Sequence, residues 1–534
     1  MLPVAVAALL CACALPPALA QPAPWPVHGA NRLRTGASTA IGPGASLALD
    51  FSTPVNTYLN NYPPKVAVGY VNNTEVVFFG DNGGGLTCLN TSSRKVLWRF
   101  ATAGLQLAMY SQPAVSQALG LVFWGQYDGF MRAIRFDGSL AWKLVSPSGL
   151  CGAFYCAIDA SPLLSDDGLT LYFAFTEPAT FAAADARTGA LLFNYTVGTS
   201  SSSGGELTGA GVLRSERLAA LARGVGVGVT ASTPSTLTSP ALSSTHAYYA
   251  TQATVFAFSA VSKALSWQYA CGVGGASNSG PYGFAVSDNS SSLFTACFDA
   301  SFSYVVALHS FTGALKWRTP VDVRDAGSSY AYTFSRVALG PGNRVFHVGF
   351  SALYALDGAT GALLWRLPLP LPAGTSVLDS GIQPSLGADG LLYLMLQGLG
   401  LLVVDGETGT QVNTWSASDW DVGDSGLGES VALAPATAAS GGRPRVIFGA
   451  RLAGGAAGVF FLSGTPYKRL PAPDPSLSDP SLSAAGIAGI MVGSLAAVAL
   501  VAWAAWVFFR PAWLPHPPCL PPKAVTGERA GLLA

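Results

Sequence analysis

The stretch Ala355-Leu356-Asp357-Gly358-Ala359-Thr360-Gly361-Ala362-Leu363-Leu364-Trp365 decides the fold of this chain. Asp-x-x-Thr-Gly is a turn signal: the Asp and Thr side chains cap backbone N–H groups, and the glycine takes a positive φ. The apolar run 345–354 enters the turn and Leu363 to Trp365 leaves it, so the segment reads as strand, tight turn, strand. A Trp on the last strand is too large to be buried within one small sheet, but it fills the wedge between two neighbouring sheets.

The pattern recurs. Ala183 to Phe193 repeats it with Phe in place of Trp, and Ala307 to Trp317 repeats it with His309 at the Asp position. Looser copies end at Trp98, Trp142 and Trp267, and a further copy, Val403 to Gly409, has its Trp415 displaced by two, which keeps the same face of a strand. The spacings between these docking aromatics are 44, 51, 74, 50, 48 and 50 residues. The one long interval holds a Ser/Gly/Thr-rich insertion near 198–240. A small or polar residue and Pro precede most copies: Ser111-Gln112-Pro113, Ser161-Pro162, Ser239-Pro240, Gly280-Pro281 and Gln383-Pro384. Short apolar strands such as Val76–Phe79, Leu86–Leu89 and Val96–Phe100, parted by Gly/Asp turns, complete each unit.

A repeat of this length with four strands is a propeller blade. Seven copies are explicit. An eighth is partial, with strands expected at Arg445–Gly449 and Val459–Leu462. Its missing strand is expected from the N-terminus, around Trp25 to Gly36, because closing the ring removes exposed sheet edges. The expected fold is all-β, an eight-bladed β-propeller, with seven blades as the alternative, plus one C-terminal transmembrane α-helix.

The repeat Ala-x-Asp-x-x-Thr-Gly-x-x-x-Trp resembles that of the pyrroloquinoline-quinone (PQQ)-like, or quinoprotein alcohol dehydrogenase-like, propeller superfamily, and the opening Trp25…Thr35-Gly36 is similar to the start of many members. The resemblance covers roughly residues 25–465. It implies the fold, and it implies one of several roles: quinoprotein dehydrogenase, outer-membrane assembly lipoprotein, or luminal sensor domain.

Composition narrows the classes. The chain has 534 residues, with 28 Lys+Arg balancing 28 Asp+Glu, and no basic cluster, which argues against nucleic-acid binding. Residues 1–20 read as a signal peptide ending in Ala18-Leu19-Ala20. The propeller ectodomain is assigned to 21–470 and a Pro/Ser stalk to 471–483. Ala484 to Phe509 is an uncharged span long enough to cross a bilayer. The tail 510–534 carries Arg510, Lys523 and Arg529 against Glu528, so the positive-inside rule puts it in the cytosol. The expected topology is type I in a secretory-pathway membrane, either plasma or endosomal/vacuolar, with the ectodomain extracellular or luminal.

In that compartment Cys151 is expected to pair with Cys156 and Cys271 with Cys297, leaving Cys88 free. Sequons stand at Asn72, Asn90, Asn194 and Asn289. Gly489 and Gly493 in the span read as lipid-facing small residues of an Ala/Gly-rich chain, with their small-residue spacing leaving a helix dimer as the alternative. Glu528, Leu532 and Leu533 match an acidic dileucine sorting pattern.

For a quinoprotein enzyme the resemblance implies PQQ stacked on a Trp, Ca²⁺ held by Glu, Asn and Asp, and an Asp base. The chain has no adjacent Cys-Cys pair and no haem-attachment motif, and its five His have no metal-ligand spacing. Asp419, Asp421 and Asp424 form an acidic loop that reads as a solvated inter-blade connection, with a Ca²⁺ site as the alternative. Trp124, Trp420 and Tyr127 are expected as surface contacts. The reading is therefore a non-catalytic, membrane-anchored propeller for a protein or glycan ligand, with no cofactor expected. A quinoprotein oxidoreductase using PQQ with Ca²⁺, or a sensor acting as a homodimer, stands as the alternative.

Overall fold

A computed structural model describes residues 25 to 467, apart from 56–63, 103–110, 146–156, 198–238, 272–282, 324–334, 371–381, 417–430, 452–456 and single positions or short gaps in other turns. The described residues form eight four-stranded antiparallel sheets and contain no α-helix. The chain is all-β and its sheets are the blades of a propeller. No helix of the described residues is long and apolar enough to cross a membrane. The expected signal peptide at 1–20 and membrane span at 484–509, with Gly489, Gly493, Glu528, Leu532 and Leu533, all lie outside the described residues.

Seven blades run in simple order: 66–101, 114–145, 163–196, 241–270, 284–323, 338–368 and 385–416. In each, the strands are ordered as in the sequence, and the first strands of neighbouring blades touch one another, so the first strand is innermost and the fourth outermost. The eighth has the order Pro43–Val55, Ala457–Pro466, Arg445–Arg451, Ala432–Ala434. The N-terminal part of the chain thus supplies the outermost strand of the last blade, pairing Pro43 with Pro466 and Val55 with Ala457. This places the closing strand at 43–55, not at 25–36; the earlier segment has a different task, described below. Joining first and last elements in one sheet closes the ring without a free edge between them.

Each Asp-x-x-Thr-Gly turn is built as its chemistry requires. Asp357 Oδ1 accepts from the Ala359 and Thr360 N–H groups at 3.0 and 2.8 Å and from the Thr360 hydroxyl at 2.8 Å. The Thr360 backbone and hydroxyl bonds hold the Asp357 carboxyl below its usual pKa. Asp185 makes the same set with Arg187 and Thr188.

The docking aromatics lie between sheets. The indole N–H groups of Trp98, Trp142, Trp267, Trp317 and Trp365 donate to the carbonyls of Phe136, Ala186, Ser310, Gly358 and Gly406 in the turn of the following blade. A β-bulge precedes this position in all seven simple blades; in one, Ala355 pairs with Trp365 while Leu356 pairs with Leu363, leaving Leu364 extra. The bulge re-aims the strand so that its ring turns towards the neighbouring sheet. In the seventh blade Asn413 occupies the docking register opposite Val403, and Trp415, two residues on, packs edge-on against Phe448.

The core is divided into clusters that each span adjacent blades, so burial is shared around the ring. Trp124 belongs to one of them and is fully buried, so it is no surface contact; its place on the second strand of its blade, between two sheets, is the reason. Trp420 and Tyr127 lie outside the described residues.

Candidate functional site

The innermost strands surround the axis, and the residues at their starts are the Ser/Gln-Pro landmarks of the sequence. Proline has no N–H to leave unpaired at the strand entrance. The polar residue beside it fastens one blade to the next. Gln112 N–H donates to Ser161 Oγ at 2.9 Å, Ser161 N–H donates to Ser239 Oγ at 2.9 Å, and Gln112 Nε2 donates to Val66 O at 2.6 Å. Gln383 Nε2 donates to Val337 O at 3.3 Å and Ser385 Oγ to Val431 O at 2.8 Å. Gly280-Pro281 lies outside the described residues.

Residues 25–40 run along the inner wall of this ring. Trp25 O accepts from Val68 N–H in the first blade. The carbonyls of Arg32, Leu33, Thr35 and Gly36 then accept from the N–H groups of Leu242, Val286, Leu339 and Leu386, which belong to the innermost strands of the fourth, fifth, sixth and seventh blades in turn. Inner-edge donors that would otherwise face the axis are thereby satisfied. Gly36 sits at φ +72°, where a Cβ would lie 2.5 Å from Pro384 O; only glycine fits this approach.

Arg34 is the hub. It is fully buried and held at φ 57°, a left-handed conformation that a non-glycine residue adopts only when its surroundings impose it. Its guanidinium donates to Pro240 O at 2.8 Å, Ser161 O at 2.9 Å and Pro162 O at 3.1 Å, and its own carbonyl accepts from Gln383 Nε2 at 2.9 Å. Burial, and then the charge of the buried Arg336, lower its pKa well below the ordinary arginine value. Arg32 extends the same segment with an ion pair to Asp166.

The arrangement bears on the cofactor that the fold suggests. Ca²⁺ requires several oxygen ligands, carboxylates foremost. Among the described residues no three His, Cys, Asp or Glu side chains converge on a point. The charged side chains identified at the axis are Arg34 and Arg336, and the carbonyls nearest Arg34 already accept from its guanidinium. Asp159, at the entrance of the third blade, is buried and accepts from Thr176 Oγ1 at 2.9 Å. Asp419, Asp421 and Asp424 lie outside the described residues.

The other sites fall as follows. Cys271 and Cys297 form a disulfide with a Cα–Cα distance of 5.4 Å that ties the fourth blade to the fifth. Cys151 and Cys156 lie outside the described residues. Cys88 is free and buried, and burial pushes its thiol pKa up to about 12, so it stays protonated. Asn72 and Asn289 are exposed on turns, Asn90 is half-buried at a turn, and Asn194 is exposed on an outermost strand.

Sequence reading missed Arg34 and also the buried ion pair of the ring seam. There Arg445 of the eighth blade reaches Glu75 of the first at 2.6 Å, and Thr91 Oγ1 donates to the same carboxyl at 3.0 Å. Two glycines and three arginines or asparagines between Gly29 and Gly36 were the available signal for the axial segment. The seam pair had none, since its partners are 370 residues apart.

Comparison with known proteins agrees with the architecture. A family model described as outer membrane protein assembly factor BamB matches residues 63–269 and 286–479. No curated protein matches the sequence. Among solved structures, a europium-containing methanol dehydrogenase aligns with a TM-score of 0.59 at 13% identity, covering 83% of this chain and 98% of that one. The quinohemoprotein alcohol dehydrogenase from Comamonas testosteroni aligns with a TM-score of 0.61 at 12% identity, covering 85% and 83%. Likeness at such identities speaks for the fold alone. The repeat, the eight sheets and the family match together place the chain in the BamB-like family of PQQ-like repeat β-propellers.

Proposed function

We propose that this chain is a type I single-pass membrane protein whose PQQ-like propeller is a non-catalytic binding or scaffold ectodomain for a protein or glycan partner. The observation that carries the reading is Arg34. The cationic group at the axis bonds to carbonyls of its own chain, and residues 32–36 take up inner-edge donors of four successive blades. Such an axis serves as a structural hub, and the binding surface is then the outside of the ring. The membrane anchor is read from the uncharged run Ala484 to Phe509.

The test is a titration of the full-length chain, purified from a secretory host, with PQQ and Ca²⁺, followed by intrinsic Trp fluorescence. Dye reduction with a panel of alcohols and sugars is measured in parallel. The proposal expects no saturable change and no turnover. Saturable binding with turnover would make the protein an oxidoreductase.

A further inference from the structure

In the fifth blade the turn that carries an acceptor asparagine meets the turn that carries an exposed aromatic residue. Asn289 stands in the turn between the first two strands of that blade, and Phe311 in the turn between its last two. The two turns touch: Ser310 N–H donates to Ser291 O at 3.3 Å, and the Ser310 hydroxyl bonds to Ser290 O. Among the described residues the Asn289 side chain is oriented through its oxygen. Its Oδ1 accepts from Ser291 N–H at 3.0 Å, from Ser291 Oγ at 2.8 Å and from Ser287 Oγ at 2.8 Å. Three donors on the oxygen fix the amide plane, and the residue is exposed. Ser291 is the hydroxyl residue of the sequon Asn289-Ser290-Ser291.

Phe311 is 49% exposed, at a position that other blades fill with Arg187, Ala359 or Glu407. Beneath it the turn is rigid, because Ser310 O accepts from both the Trp267 indole at 3.0 Å and Tyr248 Oη at 3.1 Å. Its ring meets His246 edge to face at 6.0 Å. A large ring held firmly and left bare suits an apolar cover. The C–H-rich face of a pyranose is such a cover, since its polarised C–H groups match the negative face of an aromatic ring.

We propose that Asn289 carries an N-linked glycan whose first N-acetylglucosamine packs on Phe311. The co-reactant is a lipid-diphosphate-linked oligosaccharide. Asn289 Nδ2 loses one proton and forms a bond to sugar C1, the bond from C1 to the diphosphate oxygen breaks, and the lipid diphosphate leaves with its electron pair. No redox change occurs. The inference rests on the chain entering the secretory pathway, as the proposed function requires.

The full-length chain, made in a glycosylating secretory host, is treated with peptide-N-glycosidase in heavy-oxygen water and mapped by peptide mass. Conversion of Asn289 to labelled Asp is the expected result. Phe311→Ala is then compared with the parent in thermal melts, in the native background and in Asn289→Gln. The expected drop is roughly 1–2 °C in the glycosylated background and close to none in Asn289→Gln. Equal drops in the two backgrounds would overturn the packing. Labelling at Asn72 or Asn194 with none at Asn289 would overturn the site and leave the secretory reading intact, whereas no labelling at any sequon would overturn that reading itself.

Discussion

Trp317 of the fifth blade lies where a side chain on Gly361 of the sixth would have to be: a Cβ built there falls 2.7 Å from the indole. The same relation joins Trp98 to Gly138, Trp142 to Gly189, Trp267 to Gly313 and Trp365 to Gly409, with separations of 2.6 to 2.8 Å. The glycine of the repeat thus answers two demands. It reverses the chain at positive φ, and it makes room for the ring of the preceding blade. Where the preceding aromatic is smaller, the glycine is gone. Phe193 faces a blade whose turn has Lys263 at φ 60°, and Phe51, on the closing strand, faces Arg94 at φ 57°, whose guanidinium lies 4.8 Å above its ring.

Gly361→Ala should therefore cost more than backbone strain alone. The new methyl would meet the Trp317 ring and also Thr319 Oγ1 at 2.6 Å. Crowding plus left-handed strain should amount to about 3 kcal/mol. Gly441→Ala is the control: it has φ +64° and nothing within 4 Å, and should lose only about 1 kcal/mol. Chemical denaturation of both variants measures the difference, and equal losses would show that the indole does not need the space.

The pairing of Phe with a cationic turn residue predicts a coupled substitution. Phe193→Trp alone should destabilise, because Lys263 occupies the position that glycine vacates elsewhere. Combined with Lys263→Gly it should be tolerated, with a coupling of about 1–2 kcal/mol in a double-mutant cycle. Additive effects would show that the two positions are independent.

His347 makes the fold sensitive to acid. It is fully buried, neither ring nitrogen has a hydrogen-bond partner among the described residues, and burial pushes its pKa down to about 4 from 6.5. The folded form keeps the ring neutral while the unfolded chain takes up a proton below pH 6.5. Stability present above pH 6.5 is therefore lost as the pH falls towards 4, by about 3 kcal/mol at most. His347→Leu should flatten this decline. Urea midpoints for parent and variant at pH 7.5 and 4.5 measure it, and parallel declines would rule His347 out as the cause.

Arg34→Met should loosen the axis. It leaves the carbonyls of Ser161, Pro162 and Pro240 without their donor, at a cost of about 3 kcal/mol or more. Amide hydrogen exchange should rise at Leu242, Val286, Leu339 and Leu386, whose N–H groups bond to residues 32–36. Unchanged exchange at those four amides would mean that the backbone of the segment holds itself in place.

Local chemistry alone determined the blade. Asp357, Thr360, Gly361 and Trp365 lie within nine residues, and turn capping, positive φ and ring size act over that range, so the repeat, its strands and its count could be read from the chain. Residues 25–36 could not be placed in the same way. A short segment of mixed apolar, polar and glycine residues has no periodicity that separates an outermost strand from an axial path, and its neighbours decide between them. Arg34 bonds to residues 127, 128 and 206 positions away, and Gln383, which bonds to its carbonyl, is 349 positions away. These distances close only when the ring closes. Only the tertiary structure could therefore assign Pro43–Val55 to the last blade, set Arg34 on the axis and join Glu75 to Arg445 across the seam, because each requires both ends of the ring to be in place at once.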